Sequence, residues 1–418
     1  MPIDRIEEVL AHELEEMGRQ GTLKGQEQVI TDLVTGTGAE GPRFLLAGEG
    51  DRRFLRMNSN SYLGMSLLDE VIEAEEKAAR TFGTGPGAVR FISGTYHPHI
   101  ELERRLAEFH DREACMIFSS AYATSMGVLP PLITADTVVV SDELNHNCII
   151  NAMRLARPQE KKIYRHLDLE ELGTQLAEMA GKCRRAIVVT DGIFSMRGDH
   201  APLPEIMAIA RKYDDRFAEN VLVVADDSHG VGAFGETGRG TEEYTGGEQV
   251  DLLIATLGKA LGVNGGYVVG SRQIIGYLRE KSPFYIYSNP ITPAEAAAAC
   301  AAVELLSGAG GRELLDHLRS MTGRFEQGLL DLGFETIPGE HPVVPLMVRD
   351  TAKTSAMVEH LFVNGILATG LKFPVVPQGD EEIRFQISAD HTAADIDYAL
   401  QVLRDFLDLT GEKNARSG

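Results

Sequence analysis

Lys259 stands in Thr256-Leu-Gly-Lys-Ala-Leu-Gly262, directly after the apolar run Val250–Ala255. A lysine between glycines at a strand end packs poorly. Its amine can instead condense with an aldehyde, provided the site is sheltered enough to leave part of it neutral. Read alone, the segment fits an ordinary turn lysine equally well. An earlier apolar run, Val221-Leu-Val-Val-Ala225, ends in Asp226-Asp-Ser-His229. An acid in that position can cap a helix, bind magnesium, or stand beside a cationic ring nitrogen.

The two clusters together favour the last reading. Pyridoxal phosphate bonds to a lysine amine and needs a carboxylate at its pyridine nitrogen, because only the protonated ring is a good electron sink. His229 shares the strand-end loop with Asp226 and can bond a phenolic oxygen or an acyl carbonyl, although a lone histidine is more often structural. His146, in Ser141-Asp-Glu-Leu-Asn-His146, can stack on a pyridine ring or simply cap a helix. Ser119-Ser120-Ala121-Tyr122 closes one apolar run and opens a helix. Its free N–H groups and the helix dipole suit a phosphate, while a plain serine N-cap explains it as well. Arg384 interrupts the apolar run Ile383-Arg-Phe-Gln-Ile387, where a guanidinium needs either a substrate carboxylate or a structural acid.

The elements that must hold these residues alternate. Apolar runs at Ala114–Phe118, Thr137–Val140, Ala186–Thr190, Val221–Ala225, Leu252–Ala255 and Tyr267–Val269 read as strands. Helical patterns at Leu68–Thr81 and Ile100–His110 precede them, and those at Ala121–Leu129, Cys148–Ala156 and Pro204–Tyr213 lie between them. Near-continuous apolar strands separated by helices predict a parallel sheet covered on both faces, with its ligand at the carboxyl ends of the strands. Ser120, Asp142, Asp191, Asp226 and Lys259 all fall at such ends. After Pro293 the texture shifts to long helices and fewer strands, which predicts a smaller α+β domain. The expected division is 1–56 for an N-terminal helix and arm, 57–295 for the large domain and 296–418 for the small one. Ile6, Val9, Leu10 and Leu14 predict an amphipathic first helix, packed on its own domain or on a partner subunit. Phe44-Leu-Leu and Phe54-Leu-Arg-Met read as a short hairpin, and 411–418 as a disordered tail.

Composition narrows the partners. The chain has 418 residues, 43% hydrophobic, with net charge −22 and a pI near 5.0. Nucleic acid and anionic membrane both require a basic footprint and are excluded as main partners. Four cysteines without a CxxC pair speak against a disulfide framework or a zinc site and suit a reducing cytoplasm. No basic segment leads into an apolar one at the N-terminus, so no signal peptide is expected. No apolar run is long enough to span a membrane.

Taken in order, these segments resemble the α-oxoamine synthase family, pyridoxal-phosphate enzymes of the aspartate-aminotransferase-like fold. The resemblance runs from about Phe54 to Leu407. It is carried by Asn60-Ser-Tyr-Leu-Gly, Arg90-Phe-Ile-Ser-Gly-Thr, Asp142-Glu-Leu-Asn-His and Thr190-Asp-Gly-Ile-Phe-Ser-Met. Further along it rests on Asp226-Asp-Ser-His-Gly, Gly235-Glu-Thr-Gly-Arg-Gly, Thr256-Leu-Gly-Lys and Arg384-Phe-Gln-Ile-Ser. The family implies a large domain with a mainly parallel seven-stranded sheet and a smaller C-terminal domain. It implies an acyltransferase that joins a small amino acid to an acyl-CoA with release of CoA. Arg90–Thr95 and Ser228 are most similar to the glycine C-acetyltransferase branch, which implies glycine and acetyl-CoA. The alternatives are an 8-amino-7-oxononanoate synthase-like or longer-chain condensing enzyme, or an aldolase or aminotransferase on the same fold.

The resemblance also implies roles. Lys259 anchors the cofactor and moves the proton, Asp226 pairs the ring nitrogen, and His146 stacks on the ring. Ser195 and His229 contact the phenolic oxygen. Ser120, Ala121, Tyr122 and Thr256 surround the phosphate. Asn60 and Arg384 take the amino-acid carboxylate. Sites in this family are shared across a homodimer, and Ser288 and Asn289 then reach the neighbour's phosphate. No metal is implied.

Overall fold

Seven strands form one sheet, in the spatial order Ala114–Phe118, Gly266–Gly270, Leu252–Thr256, Val221–Asp226, Arg185–Asp191, Thr137–Asp142, Glu160–Tyr164. The computed structural model describes residues 3–23, 25–373 and 376–411, so the expected tail lies almost wholly outside the described residues. Neighbouring strands run parallel except Gly266–Gly270, which is antiparallel to both of its partners. Successive strand residues face opposite sides, and the packing follows that alternation. Val138, Val188, Val223, Ala225, Leu253 and Tyr267 enter one core. Val139, Ile187, Val189, Val224, Ile254 and Val268 enter the other. Helices cover both faces: Leu102, Leu106 and Ile206 lie on the first side, Val128, Ile149 and Leu278 on the second.

The strand Glu160–Tyr164 was not expected from its residues. Its sequence, Glu-Lys-Lys-Ile-Tyr, is largely exposed because it is an edge strand, where lysines discourage further pairing. The antiparallel strand also departs from an all-parallel reading. It returns directly from Leu252–Thr256, so residues 257–265 form a tight connection instead of a helical crossover.

The long helices Pro293–Ser307 and Ala309–Asp331 lead into a four-stranded antiparallel sheet, ordered Glu335–Thr336, Val343–Met347, Glu382–Gln386, Thr369–Leu371. Ile383 and Phe385 are fully buried, and Phe385 meets Phe325 with ring centroids 4.9 Å apart. Glu382, Arg384 and Gln386 therefore face the other way, toward the larger sheet.

Two N-terminal expectations change. Helix Asp4–Arg19 buries none of its residues, so its apolar Ile6, Val9, Leu10 and Leu14 face is uncovered within the described chain. The hairpin reduces to one bridge between Phe44 and Phe54. Arg43–Leu46 pairs with Ile30–Val34, and Leu55–Arg56 pairs in parallel with Ile366–Leu367 from the C-terminal part. Among the described residues no helix is long and apolar enough to cross a membrane.

Alternation decides the fate of the acid pair after Ala225. Asp226 falls on the face of Val224, and Asp227 turns to the opposite side. There Asp227 accepts hydrogen bonds from the Thr241 N–H at 2.7 Å and its hydroxyl at 2.6 Å. Gly192, Gly230 and Gly240 crowd the same carboxylate. A Cβ at Gly240 would lie 2.0 Å from Asp227 Oδ2, and its φ of +90° is one that side chains rarely adopt. Gly240→Ala should therefore destabilise the protein by at least about 2 kcal/mol, read as a lower denaturant midpoint.

Candidate active site

The connection 257–265 presents Lys259 from a braced turn. Leu257 N–H donates to Gly265 O and Val263 N–H to Leu257 O, each at 2.9 Å, and Gly262 N–H donates to Lys259 O at 3.0 Å. Thr256 Oγ1 accepts from Gly258 N–H at 3.0 Å and donates to Gly265 O at 3.1 Å. Gly262 has φ +69°, and a Cβ there would lie 2.4 Å from Ser66 N. Burial lowers the Lys259 amine to about 8, against the opposing pull of Asp226 and Asp191. About one amine in ten is then neutral at pH 7.

One cavity brings together Lys259, Asp226, His229, His146, Ser195, Ala121 and Tyr122. Cys148, Asp191, Ile193 and Ser228 line it as well. Asp226 is buried. Its Oδ2 accepts from Ser125 Oγ at 3.1 Å and Cys148 Sγ at 3.7 Å. Its Oδ1 accepts from Ser228 N–H at 3.2 Å and Ser228 Oγ at 2.5 Å. Asp191 lies opposite Asp226 on the neighbouring parallel strand. Burial, reinforced by the Asp226 charge, raises the Asp191 carboxyl well above the usual carboxylate range. Asp191 accepts the His146 N–H at 3.0 Å, and its own N–H donates to Asn145 Oδ1 at 2.8 Å. This fixes the loop that carries His146. The His146 ring caps helix Asn147–Ala156 by accepting from Cys148 N–H at 3.3 Å, and burial lowers its pKa. The capping and cavity-lining readings of His146 therefore hold together.

His229 is buried, and burial with the nearby Lys259 charge depresses its pKa far below the usual value. Its Nδ1 lies 2.7 Å from the Tyr62 hydroxyl, which donates to Asn60 Oδ1 at 3.2 Å. His341 Nε2 lies 2.9 Å from the His229 carbonyl. From the C-terminal sheet, Arg384 Nη1 donates to the Ser195 carbonyl at 3.1 Å. The Ser195 loop is also tied by His166, whose ring sits 3.1 Å from both Asp142 and Asp199. Burial disfavours the His166 charge, but the two carboxylates prevail and raise it to about 9.

Arg384 thus bonds a cavity-lining residue directly, and Asn60 reaches one only through Tyr62. Ser120 Oγ accepts from Ala123 N–H at 3.1 Å, the plain N-cap, and the Thr256 hydroxyl braces its own turn. The Ala121 and Tyr122 N–H groups have no acceptor in the described chain. Ser288 and the exposed Asn289 lie outside the cavity. Sequence reasoning assigned no role to Asp191, Cys148, Ser228, Tyr62 or His341. Asp191 had been placed at a ligand-bearing strand end, as Asp226 was, without a chemical task. Tyr62 and His341 carry no local signal, because only tertiary packing brings them to His229.

Residues 52–403 match the family described as Aminotransferase class I and II. The chain is 37% identical to 8-amino-7-oxononanoate synthase 1 of Bacillus velezensis over 398 residues, 95% of this chain and 97% of that protein. It is 39% identical to the mitochondrial 2-amino-3-ketobutyrate coenzyme A ligase of Homo sapiens over 395 residues, 94% and 90% of the two. This chain belongs to the α-oxoamine synthases. Among solved structures, serine palmitoyltransferase of Sphingomonas wittichii superposes with TM-score 0.86 at 25% identity, covering 98% of each chain. A high-resolution structure of SPT with a PLP internal aldimine gives 0.87 at 26%, covering 98% of this chain and 99% of that one.

As an α-oxoamine synthase the protein is a pyridoxal-phosphate-dependent acyltransferase, and the cavity fits that cofactor. It offers a lysine that is easily neutralised, a buried acid held by neutral donors, and two unpartnered N–H groups at a helix start. Two outcomes follow. Covalent uptake of pyridoxal phosphate by cofactor-free protein should quicken about tenfold per pH unit below about 8 and level off above it, because only the neutral amine reacts. Absorbance measures this, and Lys259→Ala should show none. For His166 the folded pKa is raised, so its contribution to stability is complete below about 6.5 and lost as pH rises through about 9. His166→Asn should melt a few degrees below the parent at about pH 6, and the two should converge above about pH 9.

Proposed function

We propose that this α-oxoamine synthase condenses glycine with a short acyl-CoA, acetyl-CoA foremost, and releases CoA. The observation that carries the reading is the single cavity shared by Lys259, Asp226, His146 and His229. Bound there, pyridoxal phosphate supplies a sink for the electrons of a carbanion at the amino-acid Cα. Lys259 anchors it and, once freed, its amine takes the Cα proton. Asp226 holds a proton on the ring nitrogen. His146 stacks on the ring, and neutral His229 with Ser195 bonds the phenolic oxygen. The Ala121 and Tyr122 N–H groups, with Ser120 and Thr256 beside them, take the phosphate.

Arg384 and Asn60 hold the amino-acid carboxylate. The new Cα–acyl bond forms as the thioester C–S bond breaks, and the thiolate leaves as CoA after taking up a proton. We further propose a homodimer in which Ser288 and Asn289 of one copy serve the phosphate of the other. The neighbouring Tyr287, 79% exposed, with Phe91 and Ile92 near 67%, supports a covered surface there. The similarity to 2-amino-3-ketobutyrate coenzyme A ligase and the serine at 228 favour glycine and acetyl-CoA. The 8-amino-7-oxononanoate synthases among the relatives favour a longer acyl group as the second reading.

Thiol release decides between them, measured with glycine, alanine and serine against acyl-CoAs of increasing length. Glycine with acetyl-CoA should give the highest kcat/KM. A maximum with a long acyl-CoA selects the second reading, and no release with any donor overturns both. Asp226→Ala should lower kcat at least about a hundredfold, since its charge acts where the carbanion develops. Arg384→Ala should instead raise KM for the amino acid, by about tenfold or more.

A further inference from the structure

Asp226 is approached by side chains from three separate elements. Ser125 comes from helix Ala121–Leu132, Cys148 from helix Asn147–Ala156, and Ser228 from the loop after its own strand. Both carboxylate oxygens are engaged: Oδ2 by Ser125 and Cys148, Oδ1 by Ser228. All of these partners are neutral donors. The Lys259 amine lines the same cavity but is not among these partners. That arrangement suits an acid awaiting a cation that arrives with a ligand.

We infer that Ser125, Cys148 and Ser228 are positioning residues, which together aim the Asp226 carboxylate at the cofactor's ring nitrogen and keep the shared proton on the ring. The inference rests on the reading of Asp226 as the ring partner. Two oxygens clamped from opposite sides cannot rotate, so the plane of the carboxylate is set before the ring enters. Each donor also takes up part of the negative charge, which leaves the acid a weaker competitor for the ring proton. Loss of a donor frees the rotation and strengthens that competition, and both changes move the proton off the ring.

Cys148 links two contacts. Its sulfur lies 3.0 Å from His146 Nδ1 and 3.7 Å from Asp226 Oδ2. Burial beside Asp226 pushes the thiol far above its ordinary pKa, so it is present as a neutral S–H donor and not as a nucleophile. A buried cysteine commonly acts as a small hydrophobe. Here the sulfur joins the residue proposed to stack on the ring to the one proposed to pair its nitrogen.

The test uses protein loaded with pyridoxal phosphate labelled with ¹⁵N in the ring, read by nitrogen NMR. The parent should give a pyridinium signal and Asp226→Ala a neutral one. Ser125→Ala, Cys148→Ala and Ser228→Ala should each move the signal part of the way, and the triple variant further. Cys148→Ser and Ser228→Thr restore a donor and should return it. In a second readout, pyridoxamine phosphate cannot bond covalently to Lys259. Its Kd should rise about three- to tenfold per donor removed. An unmoved signal in the three single variants, with Asp226→Ala still shifted, overturns this inference alone and leaves Asp226 as ring partner. A neutral signal in the parent, or none of the expected shift in Asp226→Ala, removes the underlying assignment as well. Should the triple variant not fold, the single variants decide the matter.

Discussion

Adjacent side chains at the end of a strand must point to opposite faces of the sheet, and the site is arranged around that constraint. It separates two neighbouring acids. Asp227 is consumed by the loop that follows, pinned under Thr241 and hemmed by three glycines. Asp226 is left on the other face with its charge in the cavity. The same alternation on the next strand sets Asp191 beside it, and Asp191 in turn fixes the backbone of His146. A slip of one residue in the strand Val221–Asp226 would exchange the structural acid for the chemical one.

Burial then sets the charge states. It lowers the lysine amine toward neutrality, depresses His229 and His146, and raises Asp191. All four shifts have the same first cause, removal from water, and they differ in direction only because acids and bases respond oppositely. The cavity therefore holds imidazoles biased toward neutrality, a lysine with about one amine in ten neutral at pH 7, and Asp226 clamped by neutral donors. His166 is the counterexample a short distance away. It is partly buried, yet two flanking carboxylates hold it charged, and it serves to tie down a loop.

Much of this was legible in the residues. The apolar runs located six of the seven large-sheet strands, since buried parallel strands read as continuous Val/Ile/Leu segments. The seventh was hidden because an edge strand carries charges. Lys259, Asp226 and His146 could be singled out because each ends or follows such a run. Arg384 stood out as a charge inside an apolar strand. Its outward side follows from Ile383 and Phe385 being buried, but its partner, the Ser195 carbonyl, lies in another part of the chain. Tyr62 and His341 were illegible for the same reason. The antiparallel turn of Gly266–Gly270 was likewise invisible, because periodicity does not report direction.

The C-terminal sheet and the loop that enters it touch the site at two places that are far apart in sequence. His341 reaches the carbonyl of His229, and Arg384 reaches the carbonyl of Ser195. Both contacts end on main-chain atoms of loops rooted in the larger sheet. The two loops are therefore levered from one body. A tilt of that body cannot open the way for a substrate without also shifting the groups that grip what is already bound, so admission and alignment share one mechanical degree of freedom.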